Sequence, residues 1–399
     1  MALMLSLLPG SAYATFSIVA VDSATGAVGG SGASCIEGSQ IINSLHESIG
    51  AIHTQAWYLE GNQNHADSLM LLGLDPDSII GWLNSNDWQG LPERRQYGVV
   101  TLAGPLASAA FTGHDNTDYK GHRIGPGYAI QGNILLGPEI LDDMETAFLS
   151  TSGPLEDRLM AALEAADVPG ADTRCFLCQK PAISAFVKVV HPGDGDTPYL
   201  YEFVNYTPCE ENPIPQLRVK YDAWRHAQIA DADSTTANVD PAMLPANGTA
   251  SATITVVPLN SLGEPVTHGA DVTIVNSGIG SLGEVIDNGD GVYTATVTAP
   301  TIAWVDTFSV SVDAGGEVVQ INTKPVVTYY ICGDADASDD VDIDDVVYLI
   351  AFIFSSGPPP DPYEAGDAGY SGEVDIDDVV YLIAYIFSGG NDPCDPPEK

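Results

Sequence analysis

Hydrophobic and polar positions follow three successive patterns along the 399 residues. Up to about residue 228, strand-like stretches alternate with helical ones. Residues 16–21 and 50–57 have strand composition, and 96–112 reads as a hairpin turning at Gly104-Pro105. Apolar residues then recur at Ile140, Leu141, Met144, Ala147 and Phe148, and again at Leu155, Leu159, Ala162 and Leu163, which predicts helices over 138–149 and 154–166. Each opens on a proline with acidic residues close behind, as the positive end of a helix dipole favours. Two such neighbours would cover one face of a sheet. Strands resume at 182–190 and 198–204, and a last helix is expected around 217–227.

From about residue 231 to 327 the helical period disappears. Thr, Val, Ala and Gly dominate, and 250–257, 270–275, 291–298, 307–312 and 317–322 alternate as strands between turn-forming residues. That spacing predicts an all-β sandwich of about 100 residues. The tail changes character again. Val341-Asp342-Ile343-Asp344-Asp345-Val346-Val347-Tyr348-Leu349-Ile350 recurs letter for letter from Val374 to Ile383, and each copy leads into a short amphipathic helix. Asp334, Asp336, Ser338, Asp342 and Asp345 fall at positions 1, 3, 5, 9 and 12 of a calcium loop, with the Asp340 carbonyl at position 7. In the second copy Asp367, Ser371, Asp375 and Asp378 take positions 1, 5, 9 and 12, with Glu373 at position 7. Gly369 leaves position 3 without a carboxylate. Two calcium ions are therefore expected, the first bound more tightly, although Asp339 stands where the second loop has the turn glycine Gly372.

Charge narrows the partners. Acidic residues outnumber basic ones 54 to 13, for a net charge of −41, which argues against nucleic acid and anionic membranes and suits calcium or a saline medium. No apolar run after the first residues is long enough to span a bilayer. Six cysteines are expected to form three disulfides in an exported chain. Cys332 and Cys394 flank the duplicated tail and would clamp it. Pairing among Cys35, Cys175, Cys178 and Cys209 stays open among three connectivities, with a structural role preferred over redox or zinc chemistry for Cys175-x-x-Cys178.

Candidate chemistry lies at the other end. Residues 1–14 are apolar and uncharged and finish in Ala12-Tyr13-Ala14, the small-x-small pattern of a secretion signal, short enough to suggest truncation upstream of Met1. Cleavage there would make Thr15 the first residue. An N-terminal threonine combines a nucleophilic hydroxyl with its own α-amine as base, whose ordinary pKa is about 7.7–8.0. Gln131, Gly132 and Asn133, placed just after a strand, offer amides to an oxyanion, and Gln55 offers another.

Thr15-Phe16-Ser17-Ile18-Val19-Ala20, Thr54-Gln55-Ala56-Trp57, Gly121-His122-Arg123 and 127–135 resemble the DUF1028 family over most of residues 15–228. That resemblance implies an α+β four-layer αββα sandwich like the N-terminal nucleophile hydrolases, without an established activity. Residues 287–297 resemble filamin and invasin-type immunoglobulin-like repeats, which implies a spacer over 232–328. The duplicated loops resemble a type I dockerin over 332–399, a small all-α paired loop-helix module, and imply a cohesin-type partner. Ile343-Asp344 and Ile376-Asp377 differ from the Ser-Thr pair of cellulosomal dockerins, which leaves that partner's identity open. The expected protein is secreted or attached to a bacterial surface. It is either an amide or ester hydrolase using Thr15, or a non-catalytic, calcium-stabilised binding protein; polysaccharide breakdown rests on the dockerin resemblance alone.

Overall fold

The computed structural model describes residues 15–103, 106–266 and 269–394, in two compact units divided between Trp224 and Arg225. The leader read at 1–14 and the Gly104-Pro105 turn lie outside the described residues.

The strands of the first unit are β1 (Thr15–Val21), β2 (Val28–Ser34), β3 (Asn43–His46), β4 (Gly50–Ala56), β5 (Arg95–Thr101), β6 (Ala107–Thr112), β7 (Gly121–Gly125), β8 (Tyr128–Asn133), β9 (Ser184–Val190) and β10 (Leu200–Val204). Its helices are α1 (Glu60–Leu71), α2 (Pro76–Ser85), α3 (Glu139–Ser150), α4 (Leu155–Ala165) and most of α5 (Pro213–Gln228). Six strands form one antiparallel sheet in the order β10-β9-β2-β1-β8-β7, and four form another in the order β3-β4-β5-β6.

Alternation along β1 assigns the layers, because successive side chains point to opposite faces. Phe16, Ile18 and Ala20 join Ile140, Met144, Leu159 and Leu163 of α3 and α4. Val19 and Val21 point the other way and meet Ala51 and Val100 of the second sheet. On that sheet's far face Ile52, Tyr97 and Val99 pack against Met70, Ile79 and Leu83 of α1 and α2. The layers are helix, sheet, sheet, helix. Cys35–Cys175 and Cys178–Cys209 resolve the pairing that spacing left open, with Cα separations of 6.0 and 5.1 Å.

The second unit begins with a β-sandwich whose two sheets bury Ile254, Val256, Val297, Phe308, Val310 and Val312 between them. Asp306 is also buried there. It accepts from Asn276 Nδ2, the Ile279 and Gly280 amides and Tyr329 Oη, all at 2.8–2.9 Å, so its charge is fully hydrogen-bonded. A Cβ at Gly278 would collide with that carboxylate, which is why glycine stands at this turn. The tail forms α6 (Ile343–Ser355) and α7 (Ile376–Ser388), packed through Val346, Leu349, Val379 and Leu382. Cys332 and Cys394 close its ends at a Cα separation of 5.7 Å, as their flanking positions predict.

Candidate functional site

The layer between the two sheets of the first unit changes from apolar to polar along its length. At one end lie Val19, Val21, Val28 and Val100. Toward the start of β1 their places are taken by Ser17, His53, Gln55, Gln96 and Gln131, all essentially inaccessible to solvent. Their hydrogen bonds run in one direction that the chemistry dictates. Gln96 Nε2 faces the carbonyls of Gly121 (3.0 Å) and Gly132 (2.8 Å), which can only accept, so Gln96 Oε1 must face donors. Those donors are Gln55 Nε2 at 2.8 Å and Asn133 Nδ2 at 2.9 Å. Gln55 Nε2 also lies 3.3 Å from the Thr15 carbonyl, and Gln55 Oε1 accepts from Ser17 Oγ at 2.7 Å. Ser17 Oγ in turn accepts from Gln131 Nε2 at 2.7 Å.

His53 closes the chain as a neutral ring. Burial pushes its pKa down to about 3. With Nε2–H donating to Asn43 Oδ1 at 2.8 Å, Nδ1 remains an acceptor 3.5 Å from Gln131 Nε2. Small residues make room for these groups. A Cβ at Gly98 would sit 1.9 Å from Gln131 Oε1, and one at Gly30 would sit 2.7 Å from His53 Nε2.

Thr15 stands at the polar end of this layer, itself buried. It pairs with Ser34 on β2 and Asn133 on β8, so three side chains on adjacent strands share one face at Cβ separations of about 4.5–5.5 Å. Thr15 Oγ1 lies 3.3 Å from Ser34 Oγ as donor, and Arg174 Nη2 lies 3.4 Å from the same oxygen. Arg174 forks onto Asp172, with Nε at 3.1 Å from Oδ1 and Nη2 at 2.8 Å from Oδ2. Asp172 is completely buried and also accepts from the amide of Cys35 at 2.8 Å.

A second constellation lies in the tail. Carboxylate oxygens of Asp334, Asp336 and Asp345 come within 4.8 Å of one another, close enough to hold one metal ion. Asp336 Oδ1 is buried without a hydrogen-bond partner. Burial raises the pKa of Asp345 to about 6 although three backbone amides donate to it, and burial also raises that of Asp334. Asp342 caps α6, its Oδ1 accepting from the Asp344 amide at 2.7 Å, and Asp345 completes the capping box. The second loop repeats this geometry. Asp367 accepts from Ser371 and Gly372, Asp378 accepts from Gly369 and Asp375, and Asp375 caps α7. Ser338 and Ser371 donate to the carbonyls of Asp340 and Glu373, at 3.3 and 3.0 Å, and so brace position 7 of each loop. Position 6 is left-handed in both, with φ of 70° at Asp339 and 91° at Gly372. Among the described residues only the first loop gathers three carboxylates.

Residues 15–226 match the model of a family of unknown function, DUF1028. The chain belongs to that family. Residues 231–331 match the third domain of invasin, so the DUF1028 domain is followed by a bacterial immunoglobulin-like module. Among solved structures, a DUF1028 protein from Silicibacter pomeroyi is 28% identical, with a TM-score of 0.45, over 53% of this chain and 88% of its own. InvD and the adhesin InvE of Yersinia pseudotuberculosis are 30% and 27% identical over 26% and 25% of this chain, covering 28% and 27% of theirs, with TM-scores of 0.22 and 0.21. No curated protein matches the chain.

Within the DUF1028 domain the sequence-predicted donors are placed differently from expectation. Gln131, Gly132 and Asn133 lie inside β8, not after it, and Gln55 lies inside β4. With β1 on one side and β7 on the other, the backbone amides of Gln131 and Gly132 belong to the sheet ladder. The Gln131 side chain faces Ser17, two residues along from Thr15, and a Cβ at Gly132 would point into Leu135 and Leu141. Of the three, Asn133 alone neighbours Thr15. Sequence reading missed Ser17, Ser34, His53, Gln96, Asp172 and Arg174. Only the position of Ser34 and Arg174, each immediately before a cysteine, could have drawn attention to them.

Proposed function

We propose that the mature protein is an exported hydrolase of an amide or ester bond with Thr15 as its N-terminal nucleophile, spaced by the immunoglobulin-like module from a calcium-folded tail. The observation that carries this reading is the placement of Thr15 at the polar end of the inter-sheet layer, beside the amide groups of Gln55 and Asn133. Removal of residues 1–14 exposes the α-amine, which takes the hydroxyl proton as Oγ attacks the carbonyl carbon. Asn133 Nδ2 has a second hydrogen beyond the one given to Gln96, and that hydrogen would serve the developing oxyanion. The amine then protonates the leaving group, and water releases the acyl group from Thr15. The three disulfides and the invasin-type module suit an extracellular bacterial protein.

The tail is read as dockerin-like, with calcium as its metal, because its donors are hard oxygens at calcium-loop intervals. Ile343, Val347, Ile350 and Phe354 on α6 are repeated by Ile376, Val380, Ile383 and Phe387 on α7, and all eight stay exposed. Two matching apolar stripes suit a cohesin-type partner. A second reading, a non-catalytic binding protein that kept the fold, is favoured by the near-complete satisfaction of the polar layer, which a purely structural core also requires.

N-terminal sequencing and intact mass of the secreted chain, followed by reaction with an amide- or ester-directed electrophile, separate the two. The hydrolase reading expects a chain starting at Thr15, one adduct on that residue, and none in Thr15→Ala. A chain that starts elsewhere, or an adduct that survives Thr15→Ala, overturns it.

A further inference from the structure

We infer that Ser34 and Arg174 are positioning residues for Thr15, and that buried Asp172 fixes both of them. The inference rests on the reading of Thr15 as nucleophile. A threonine at a strand end has three staggered positions for its hydroxyl, and only one presents Oγ1 to Ser34. Ser34 Oγ lies 3.3 Å from Thr15 Oγ1 and 3.4 Å from Arg174 Nη2, so the hydroxyl that selects the Thr15 rotamer is itself set by the guanidinium. Neither residue is free to drift. Asp172 accepts from the amide of Cys35, the residue after Ser34, and from the amide and fork of Arg174. The Cys35–Cys175 bridge then ties the residue after Ser34 to the residue after Arg174. A carboxylate, two amides and a covalent bond thus hold two loops 137 residues apart in register around one serine hydroxyl.

The arrangement differs from an ordinary buried ion pair in what it touches. Asp172 is completely buried while the Arg174 side chain keeps 29% of its exposure, so the cation sits at a rim and reaches inward to Ser34. An arginine that served only the loop would have no need of that contact. Misplacing a reacting atom by about 1 Å is enough to cost on the order of 100-fold in rate.

The test uses the full secreted chain, with threonine methyl groups isotopically labelled and the Thr15 signal assigned by Thr15→Ser. Three-bond couplings report the Thr15 rotamer, and electrophile labelling reports its reactivity. Wild type should show one rotamer. Ser34→Ala and Arg174→Ala should show averaged couplings and labelling slowed about 10- to 100-fold, with both first-unit disulfides intact by peptide mapping. Millimolar guanidinium should restore labelling in Arg174→Ala but not in Ser34→Ala, a rescue that a merely structural role would not give. A Thr15 rotamer unchanged in both variants overturns the inference, whatever the labelling shows. A wild-type chain with one fixed rotamer and no labelling overturns the nucleophile reading and leaves the positioning in place.

Discussion

Gln96 is the hub of the inter-sheet layer, and replacing it gives two variants with opposite pH behaviour. Gln96→Leu takes the acceptor from Gln55 Nε2 and Asn133 Nδ2 and the donor from the carbonyls of Gly121 and Gly132. Leaving a buried polar group unpaired costs about 1–3 kcal/mol, so four orphaned groups at the low end give roughly 4 kcal/mol. In a domain of this size 1 kcal/mol moves Tm by about 2–4 °C, which predicts a fall of about 8–16 °C. Gln96→Glu keeps Oε1 for the two amides but sets its second oxygen against two carbonyls. The acid form relieves that conflict by donating to one of them, so the carboxyl pKa is raised in the folded state above its ordinary value of about 4.3. A raised folded pKa supplies stability that is complete below the unfolded value and is lost as pH rises through the folded one. Relative to wild type, Gln96→Glu should therefore be weakest at pH 7 and recover toward pH 4, while the Gln96→Leu deficit stays flat. Calorimetry of the full chain across that range reads both. A Gln96→Leu shift under about 2 °C, or a Gln96→Glu deficit that ignores pH, would refute the directional network.

Three further outcomes are expected. The folded pKa of His53, about 3, lies below the unfolded value of 6.5, so the unfolded chain binds the extra proton and stability falls as pH drops from 6.5 toward 3. The loss should reach about 2 kcal/mol at pH 5 and be absent in His53→Gln, as denaturant titrations at pH 7 and pH 5 would reveal. Asp87→Ala leaves Arg95, whose side chain is 2% exposed, without the carboxylate 2.7 Å from Nε, and should cost about 3–5 kcal/mol by the same assay. Chelator should abolish the helical circular dichroism of the tail while sparing the DUF1028 domain, and calcium titration should show the tighter site lost in Asp345→Ala and the weaker one lost in Asp378→Ala; equal affinities would contradict the ranking of the loops.

The parts of the fold legible in the sequence are those whose buried face is apolar. The expected helices over 138–149 and 154–166 are α3 and α4, and Ile140, Met144, Leu159 and Leu163 are buried as their period requires. Helix α1 gave no such signal, because its buried face includes Asn62 and Gln63, with Asn62 donating to Asp87 and to Tyr97 Oη. Strand β2 reads Val-Gly-Gly-Ser-Gly-Ala-Ser, a composition that propensity assigns to a loop. Gly30 and Gly32 instead make space between the sheets, for His53 and Ser17, and Gly29 makes space for Leu159 of α4 on the other face. In the tail the two helices and the gathering of Asp334, Asp336 and Asp345 were legible, since those residues recur in a fixed local frame. Around Thr15 the sequence pointed to Gln55 and Asn133 as well. Ser34 and Arg174 come to it by strand register and by a disulfide, neither of which leaves a local pattern.

The same contrast bears on what the polar layer is for. Filling the Thr15 end with valines, as the other end is filled, would bury apolar surface at about 25 cal/mol per Å² without any requirement for paired donors. Instead the chain places three glutamines and a histidine there, keeps glycine at positions 30 and 98 to admit them, and orients every amide from two carbonyls that can only accept. A core that needed only cohesion would gain nothing from such a directed arrangement, and each member adds a penalty if its partner is lost. Gln131 Oε1 already bears one, buried against Gly98 with no partner. The direction of donation ends on the Thr15 carbonyl and on the Gln96 oxygen that aligns Asn133 beside Thr15. Departures from the cheapest core cluster where a protein needs fixed dipoles, and here they converge on the first residue of β1.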